Sequence, residues 1–183
     1  MWRMVTVYIL VLLVIGASSS NRVGAQRKSA KLTPSLFEPE NKNRGFEDAS
    51  PPSDLVLDAL LNTQEAIDVH EEFSNRDRVG LRGLFEVART NLGAMEGIDY
   101  VVLGKGPMTG ADCFWFWIVS VRKGKADVLL FSNGLSLSLQ KLKTDGYKNI
   151  KVDWATAGYV GSRYYRYDGS KYRLFKEHTK ENK

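Results

Sequence analysis

The sequence feature that most restricts the fold is an apolar run at residues 113–121, which reads CFWFWIVSV. Side chains alternate between the two faces of a strand, so Trp115 and Trp117 point one way and Phe116 and Ile118 the other. Both faces are apolar, and such a strand lies in the middle of a covered sheet. The sheet therefore needs a cover, for which helices at the N-terminal side of the domain are the candidates.

A helical segment is predicted at residues 54–73. Ser53 can cap its start, and Asn62 with Glu65 can cap a second start. The apolar residues that recur at helical spacing are Val56, Leu57, Leu60, Leu61, Ala66, Ile67, Val69 and Phe73. This pattern predicts two short helices or one bent helix.

After this segment the hydrophobic period changes to two, which is typical of strands. The expected strands lie at residues 84–89, 98–103, 113–121, 128–131, 135–139, 150–154, 164–167 and 172–175. Asn133-Gly134 and Asp168-Gly169 are typical of hairpin turns between strands. We therefore predict an α+β fold in which short N-terminal helices pack on an antiparallel β-meander of about six to eight strands, within a single domain at residues 54–175.

The first segment has the pattern of an export signal. Arg3 precedes an apolar run, and Val23-Gly24-Ala25 has the small side chains that a signal peptidase requires before a cut at Gln26. The alternative is an uncleaved anchor, but the run of about 11 residues is short against the roughly 20 that a membrane helix needs. The sequence predicts a signal peptide at residues 1–25 and an exported, periplasmic or extracellular protein without a transmembrane segment after cleavage.

Two further segments are rich in polar residues. Residues 26–53 mix Lys, Ser, Pro, Glu and Asn, a composition that buries too little apolar surface to offset its ordering entropy. Residues 176–183 are charged. We therefore expect a flexible linker at residues 26–53 and a fraying tail at residues 176–183.

Charge is distributed unevenly along the chain. The net charge is +5, and loss of residues 1–25 leaves 24 basic against 21 acidic side chains, which is +3. Residues 35–99 hold 14 acids and 6 bases, whereas residues 141–183 hold 11 bases and 5 acids. Opposite charges on two halves commonly face solvent or attract each other, although they can also steer an anionic partner. The small net charge and the export signal argue against nucleic acid as a partner.

Cys113 is the sole cysteine, so an intramolecular disulfide is impossible. Its aromatic neighbours favour a buried thiol, and a cross-link to a second chain is the alternative, so a monomer and a Cys113-linked dimer both stay open. A nucleophilic role would need a histidine base, and the candidates are His70 and His178.

Acidic residues offer two other chemistries. Within residues 91–99, Asn91, Glu96 and Asp99 could supply oxygens to calcium, although Ala94 and Met95 interrupt the pattern and a plain turn is favoured. A pair of carboxylates could hydrolyse a glycosidic bond if the fold brought two of them together. The acids in or near strands are Glu86, Asp99, Asp112 and Asp153. Strand-end surface acids are the commoner explanation, and the sequence predicts no metal site and no cofactor.

The strongest indication of a binding site is a set of aromatic and basic residues around the hairpin turn at Asp168-Gly169. The candidate binding residues are Tyr164, Tyr165, Arg166, Tyr167, Tyr172 and Arg173. Tyrosine and arginine are frequent anchors at interfaces. The alternative is that the tyrosines pack across the hairpin and stabilise it.

The C-terminal half also resembles a loose group of small exported bacterial proteins, most of them without a defined reaction. The resemblance lies in GYKNIKV at residues 146–152 and YRYDGSKY at residues 165–172, with LDALL at residues 57–61 and FWI at residues 116–118 also similar. Members often carry an Asp-Asn-Gly-Asp-Gly turn, from which residues 91–99 depart. The resemblance implies a bacterial envelope setting.

These observations predict a non-enzymatic binding module of the cell envelope that recognises an envelope protein or polymer, including a polysaccharide, through the Tyr/Arg hairpin. The alternatives are a polysaccharide hydrolase with paired carboxylates and a structural protein held by its N-terminal tether.

Overall fold

The computed structural model describes residues 33–41, 43–93 and 96–182, which form nine strands in two antiparallel sheets with a few short helices. The five-stranded sheet has the order β1-β6-β7-β8-β9, and the four-stranded sheet has the order β2-β3-β4-β5. The helices are α1 (Asp54–Leu61), α2 (Gln64–Asp68) and α3 (Arg78–Arg82), with 3-10 turns at His70–Glu72 and Gly106–Met108. The strands are β1 (Leu36–Phe37), β2 (Phe85–Thr90), β3 (Ile98–Gly104), β4 (Phe114–Arg122), β5 (Lys125–Gly134), β6 (Ser136–Thr144), β7 (Tyr147–Ala155), β8 (Tyr159–Tyr167) and β9 (Tyr172–Glu181).

Strand β4 is buried on both faces, as its residue pattern predicts. Phe116 and Ile118 belong to the core between the two sheets, where they meet Val152 of β7. Trp117 and Val119 point to the opposite side and pack in a second core with helix α1. The molecule therefore has three layers: the short helices, the four-stranded sheet and the five-stranded sheet.

The helix boundaries follow from capping. The Ser53 hydroxyl accepts from the backbone N–H of Val56 and begins α1. Asn62, predicted to start the second helix, instead ends α1 and donates its side-chain N–H to the carbonyl of Asp58 at 2.8 Å. Arg78 of α3 contacts Asp54 and Asp58 and so ties α3 to α1. No helix within the described residues is long and apolar enough to cross a membrane.

The count and arrangement of strands differ from the prediction of one meander with about six to eight strands. Eight of the nine match the expected segments, and the ninth, β1, lies in the predicted linker. Asn133-Gly134, predicted to be a hairpin, ends β5, after which the chain enters β6 of the other sheet. Position 134 requires glycine because the two sheets' backbones approach closely there. A Cβ at Gly134 would lie 2.5 Å from the carbonyl oxygen of Asp153.

The linker predicted at residues 26–53 is not borne out across residues 36–50. Strand β1 pairs with β6, and the rings of Phe37 and Phe46 meet edge to face in the core between the sheets. Ser50 exchanges two backbone hydrogen bonds with Val87, which places it along the edge of β2. The folded unit therefore begins well before the predicted boundary at residue 54. Residues 26–32 and the predicted signal peptide at residues 1–25 lie outside the described residues.

The predicted fraying tail is also corrected. Strand β9 continues through Glu181 and pairs with the whole of β8, with Tyr159 opposite Glu181 at its far end. Its charged residues lie on the exposed edge strand of the five-stranded sheet, where charge discourages pairing with other chains.

The segment before α1 can be tested for its contribution to the core. The fully buried Phe37 should destabilise the fold by about 3–5 kcal/mol when changed to alanine, because the substitution leaves a cavity between the sheets. The matched control is Phe175→Ala, at a ring that is 41% exposed on β9, with an expected cost of less than about 1 kcal/mol. Denaturant unfolding measures both, and equal effects would contradict a structural role for residues 36–50.

Candidate functional site

Strand alternation divides the six predicted binding residues into two groups. Tyr165 and Tyr167 of β8 face the core between the sheets, together with Tyr172 of β9. Each of these three side chains is at most 8% exposed, so none can belong to an exposed binding face. Tyr164, Arg166 and Arg173 point the other way, because strand neighbours alternate and Arg166 pairs directly with Arg173. The prediction placed both groups on one face, which the period of two forbids.

The three inward tyrosines are structural, because their hydroxyl groups are bonded within the protein. The Tyr165 hydroxyl lies 2.9 Å from the Ser132 hydroxyl, and this contact joins the two sheets. Tyr172 donates to the carbonyl of Lys148 at 2.8 Å, and Tyr167 donates to that of Gly169. The alternative of cross-hairpin packing therefore holds for these tyrosines, since the Tyr167 and Tyr172 rings meet edge to face.

Asp99, a candidate calcium ligand and catalytic acid, is occupied by donors from the protein. Its carboxylate accepts from the Ser120 hydroxyl at 2.8 Å, from Arg122 at 3.0 Å and from the backbone N–H of Leu92 at 3.1 Å. Arg122 in turn lies over the ring of Tyr147. Within the described residues no group of three or more metal-ligating side chains is suited to hold an ion. Residues 94 and 95 lie outside that description.

Two of the predicted carboxylates, Glu86 and Asp99, are too far apart to act as a pair. Glu86 on β2 forms an ion pair with Lys105, and Asp112 lies in an exposed loop. Glu86 pairs opposite Leu103, four residues from Asp99 along β3, so the two backbones are about 13 Å apart. Asp153 lies on the other sheet. Glycosidases need a separation of about 5–10 Å between carboxyl groups, and these strand positions are not arranged for it.

Cys113 is intermediate in exposure and carries a free thiol. It packs close to Gly110, where a Cβ would come within 2.5 Å of the sulfur atom. The two candidate bases belong to other elements, since His70 lies in a 3-10 turn of the helical layer and packs on Phe73, whereas His178 is on β9.

The face of the five-stranded sheet that points away from the core, here called the outer face, carries a row of aromatic and basic groups. The guanidinium of Arg166 lies 3.8 Å from the centre of the Phe175 ring. Tyr164 meets Phe175 edge to face at 6.2 Å and His178 at 5.9 Å. A bulge in β9 beside Tyr164 breaks the regular register where Phe175 is inserted. Tyr164 and Arg166 thus belong to a continuous row with two residues that the sequence prediction missed.

The same face holds a hydrogen-bonded polar cluster around Asp153. Its carboxylate accepts from the hydroxyl groups of Ser162 and Ser136 and pairs with Lys151 at 2.8 Å. A hollow of about 540 Å³ lies beside this cluster. Its lining comes from both faces of the sheet. Asp153, Ala155, Val160, Ser162, His178 and Lys180 occupy outer-face positions, whereas Trp154, Gly161 and Thr179 occupy positions of the opposite face, and Leu135 precedes β6.

A sequence signal for the missed residues is present in the segment that was predicted to fray. Residues 172–181 read YRLFKEHTKE, in which Lys176, His178 and Lys180 alternate with Glu177 and Glu181. This period of two is typical of a strand with two chemically different faces. Its recognition would have extended β9 and placed His178 on the outer face.

The hairpin turn is fixed by Asp168. Its carboxylate accepts from the backbone N–H groups of Lys171 and Ser170 and from Arg173 at 2.9 Å. The N–H of Lys171, the Arg173 guanidinium and the N–H of Ser170 hold the pKa of this carboxyl well below its usual range. Arg173 is thereby partly engaged, whereas Arg166 makes no ion pair with any described residue.

The buried tyrosine cluster predicts an alkaline loss of stability. Burial raises the pKa of the Tyr172 phenol, with Asp99 and Tyr147 adding to the effect. Above pH about 10 the unfolded chain releases this proton while the folded chain keeps it, so the free energy of unfolding falls as pH rises. In Tyr172→Phe the decline should be shallower by up to about 1.4 kcal/mol per pH unit, as measured by denaturant unfolding between pH 9 and 11. Tyr159→Phe, at a half-exposed ring, is the control, and an identical slope in Tyr172→Phe and the wild type would contradict the prediction.

Comparison with protein-family models, curated proteins and solved structures finds no match for this chain.

Proposed function

We propose that this chain is an exported, non-enzymatic binding module of the cell envelope that recognises a protein or an envelope polymer through its outer face. The observation that carries the proposal is the row formed by Arg166, Phe175, Tyr164 and His178. Tyrosine offers a large contact area at a low cost in conformational entropy, and tyrosine and arginine are both frequent anchors at interfaces. The row is exposed or half-buried, so a partner can reach it.

The layer beneath the row supports it as a rigid platform. Tyr165, which lies between Tyr164 and Arg166, is fixed to the other sheet through Ser132. Arg166 is already placed over the Phe175 ring, so its side chain is ordered before a partner arrives. A preorganised contact surface loses less entropy on binding, which favours affinity.

The non-enzymatic part of the proposal is supported by the surroundings of the acids. Asp153 is the one carboxylate at the paired positions of the outer face, where it is bound by two serines and a lysine. A hydrolase of the two-carboxylate type would need a second acid beside it. The aromatic row offers contact area to a partner, and this kind of binding does not require a second acid.

The proposal predicts that the double variant Tyr164→Ala/Arg166→Ala loses its partner while the fold stays intact. Both side chains point away from the core, so the melting temperature should change little. Removal of two anchors should weaken binding by at least about tenfold. The purified protein is immobilised, exposed to the envelope fraction of a bacterium, and washed at moderate salt before the retained components are identified.

The matched control is Arg89→Ala, which removes an exposed arginine from the four-stranded sheet. A component that is retained by the wild type and by this control, lost by the double variant and recovered at its original chain length supports a binding module. Retention that is equal in all three proteins would remove the outer face from consideration. Shortening of the component would overturn the non-enzymatic assignment.

A further inference from the structure

On the outer face, paired side chains from β7, β8 and β9 form cross-strand rows, which are distinct from the aromatic row described above. Tyr164 of β8 lies between Lys151 of β7 and Lys176 of β9. The next row, about 7 Å along the strands, places Ser162 between Asp153 and His178. The third row places Val160 between Ala155 and Lys180. Directly paired residues share a face of the sheet, so all three rows are presented to one ligand.

Strand β9 separates its charges between the two faces. Lys176 and Lys180 lie on the outer face, and both are exposed without an ion pair to any described residue. Glu177 lies on the opposite face, where Arg163 binds its carboxylate at 3.1 Å. At the positions paired between β7, β8 and β9, the outer face carries the cations Lys151, Arg166, Arg173, Lys176 and Lys180 and the carboxylate of Asp153. Lys151 is ion-paired with Asp153 and Arg173 with Asp168 of the hairpin turn, which leaves Arg166, Lys176 and Lys180 without an ion pair among the described residues. The face is therefore strongly cationic, although the chain as a whole carries little net charge.

The cationic face also contains groups that a simple anion does not need. Asp153 lies in the cross-strand row next to that of Tyr164, and its negative charge repels any phosphate or carboxylate placed against it. A carboxylate oxygen is, however, a strong acceptor for a ligand hydroxyl, and the Ser162 and Ser136 hydroxyls beside it can donate or accept. The Tyr164 ring adds a flat apolar surface next to the two lysines. Cations, a hydroxyl acceptor and an aromatic ring together match a sugar that bears a carboxylate.

We propose that the outer face binds an acidic polysaccharide, a chain of sugars that carry carboxylate groups. Lys176 and Lys180 pair with the ligand carboxylates, Asp153 and Ser162 bind ring hydroxyls, and Tyr164 packs against a sugar face. This assignment rests on the proposed binding function and names its ligand. The charge of the face selects the anionic polymer, and Asp153 selects a hydroxylated one over a polyphosphate.

The first test uses polygalacturonate, a polymer of carboxylated sugars, as the probe. The matched ligand is the same polymer with its carboxylates methyl-esterified, which keeps the sugar rings and removes the charge. The purified protein should bind polygalacturonate at least about tenfold more tightly than the ester, and added salt should weaken the binding. Isothermal titration measures the affinity. Equal binding of the two polymers, or binding of neither, overturns the ligand assignment.

Two charge-matched variants locate the binding. Lys176→Gln/Lys180→Gln should lower the affinity for polygalacturonate by about tenfold, since two ion pairs are lost. Lys123→Gln/Lys125→Gln removes the same charge at the β4–β5 turn, away from the outer face, and should change the affinity less than twofold. Equal losses in both variants would mean that net charge alone attracts the polymer, which overturns the site.

The variant Asp153→Asn distinguishes a sugar site from a general anion site, because the affinity for polygalacturonate should change in opposite directions in the two cases. If Asp153 accepts sugar hydroxyls, this variant binds polygalacturonate several-fold more weakly, while its affinity for inorganic polyphosphate rises because a repulsive charge is lost. A gain in affinity for both polymers overturns the sugar assignment. Thermal unfolding of the variant verifies that the sheet is intact.

The two proposals fail in different ways. A chain that retains an envelope protein through Tyr164 and Arg166, but does not bind polygalacturonate, is a binding module whose ligand is not an acidic polysaccharide. A chain that retains nothing from the envelope fraction and does not bind polygalacturonate refutes both proposals.

Discussion

The burial of β4 on both faces determines how the other elements are arranged. Trp117 needs an apolar cover on one side and Phe116 on the other, and a single sheet of this size cannot fold back over both. Helix α1 covers the Trp117 side, and the chain after Gly134 builds a second sheet over the Phe116 side. That second sheet is one layer thick, so its far side stays in contact with solvent. The outer face stays uncovered because helix α1 and the second sheet already cover both sides of β4.

The identity of the candidate residues was visible in the sequence, but their division between two faces was not. Tyr164 and Tyr165 are adjacent, yet one is presented to a partner and the other bonds Ser132 across the core. To assign the faces of a strand, one must know which of its two alternating sets of residues is apolar. Residues 163–167 read RYYRY, so both sets consist of tyrosine and arginine. The pairing of Tyr165 with the fully buried Ile150, together with its bond to Ser132, identifies it as the inward residue.

Two other features could not be predicted because they depend on contacts distant in the chain. Phe37 lies in a polar segment and becomes part of the core through pairing with β6, about one hundred residues later. Gly134 follows an asparagine, as in a hairpin turn, but is needed for its close approach to Asp153. Local turn chemistry did predict Asp168-Gly169, where both partners of the turn are close in sequence. The turn was predictable because its partners are adjacent in sequence, whereas Phe37 and Gly134 owe their roles to residues distant in the chain.

Two arginines on β8 show that the number of charges is a poor guide to a binding site. Arg163 lies over the Trp154 ring, donates to Asn133 and pairs with Glu177, so its charge is used in holding the sheet together. Arg166, three residues later on the opposite face, lies over the Phe175 ring and forms no ion pair with a described residue. The same distinction separates Lys151, which is paired with Asp153, from Lys176 and Lys180. A polyanion gains most from cations that have no partner to give up, since it displaces only water from them. The free cations of the outer face lie on β8 and β9, where the aromatic row and the hollow are also found.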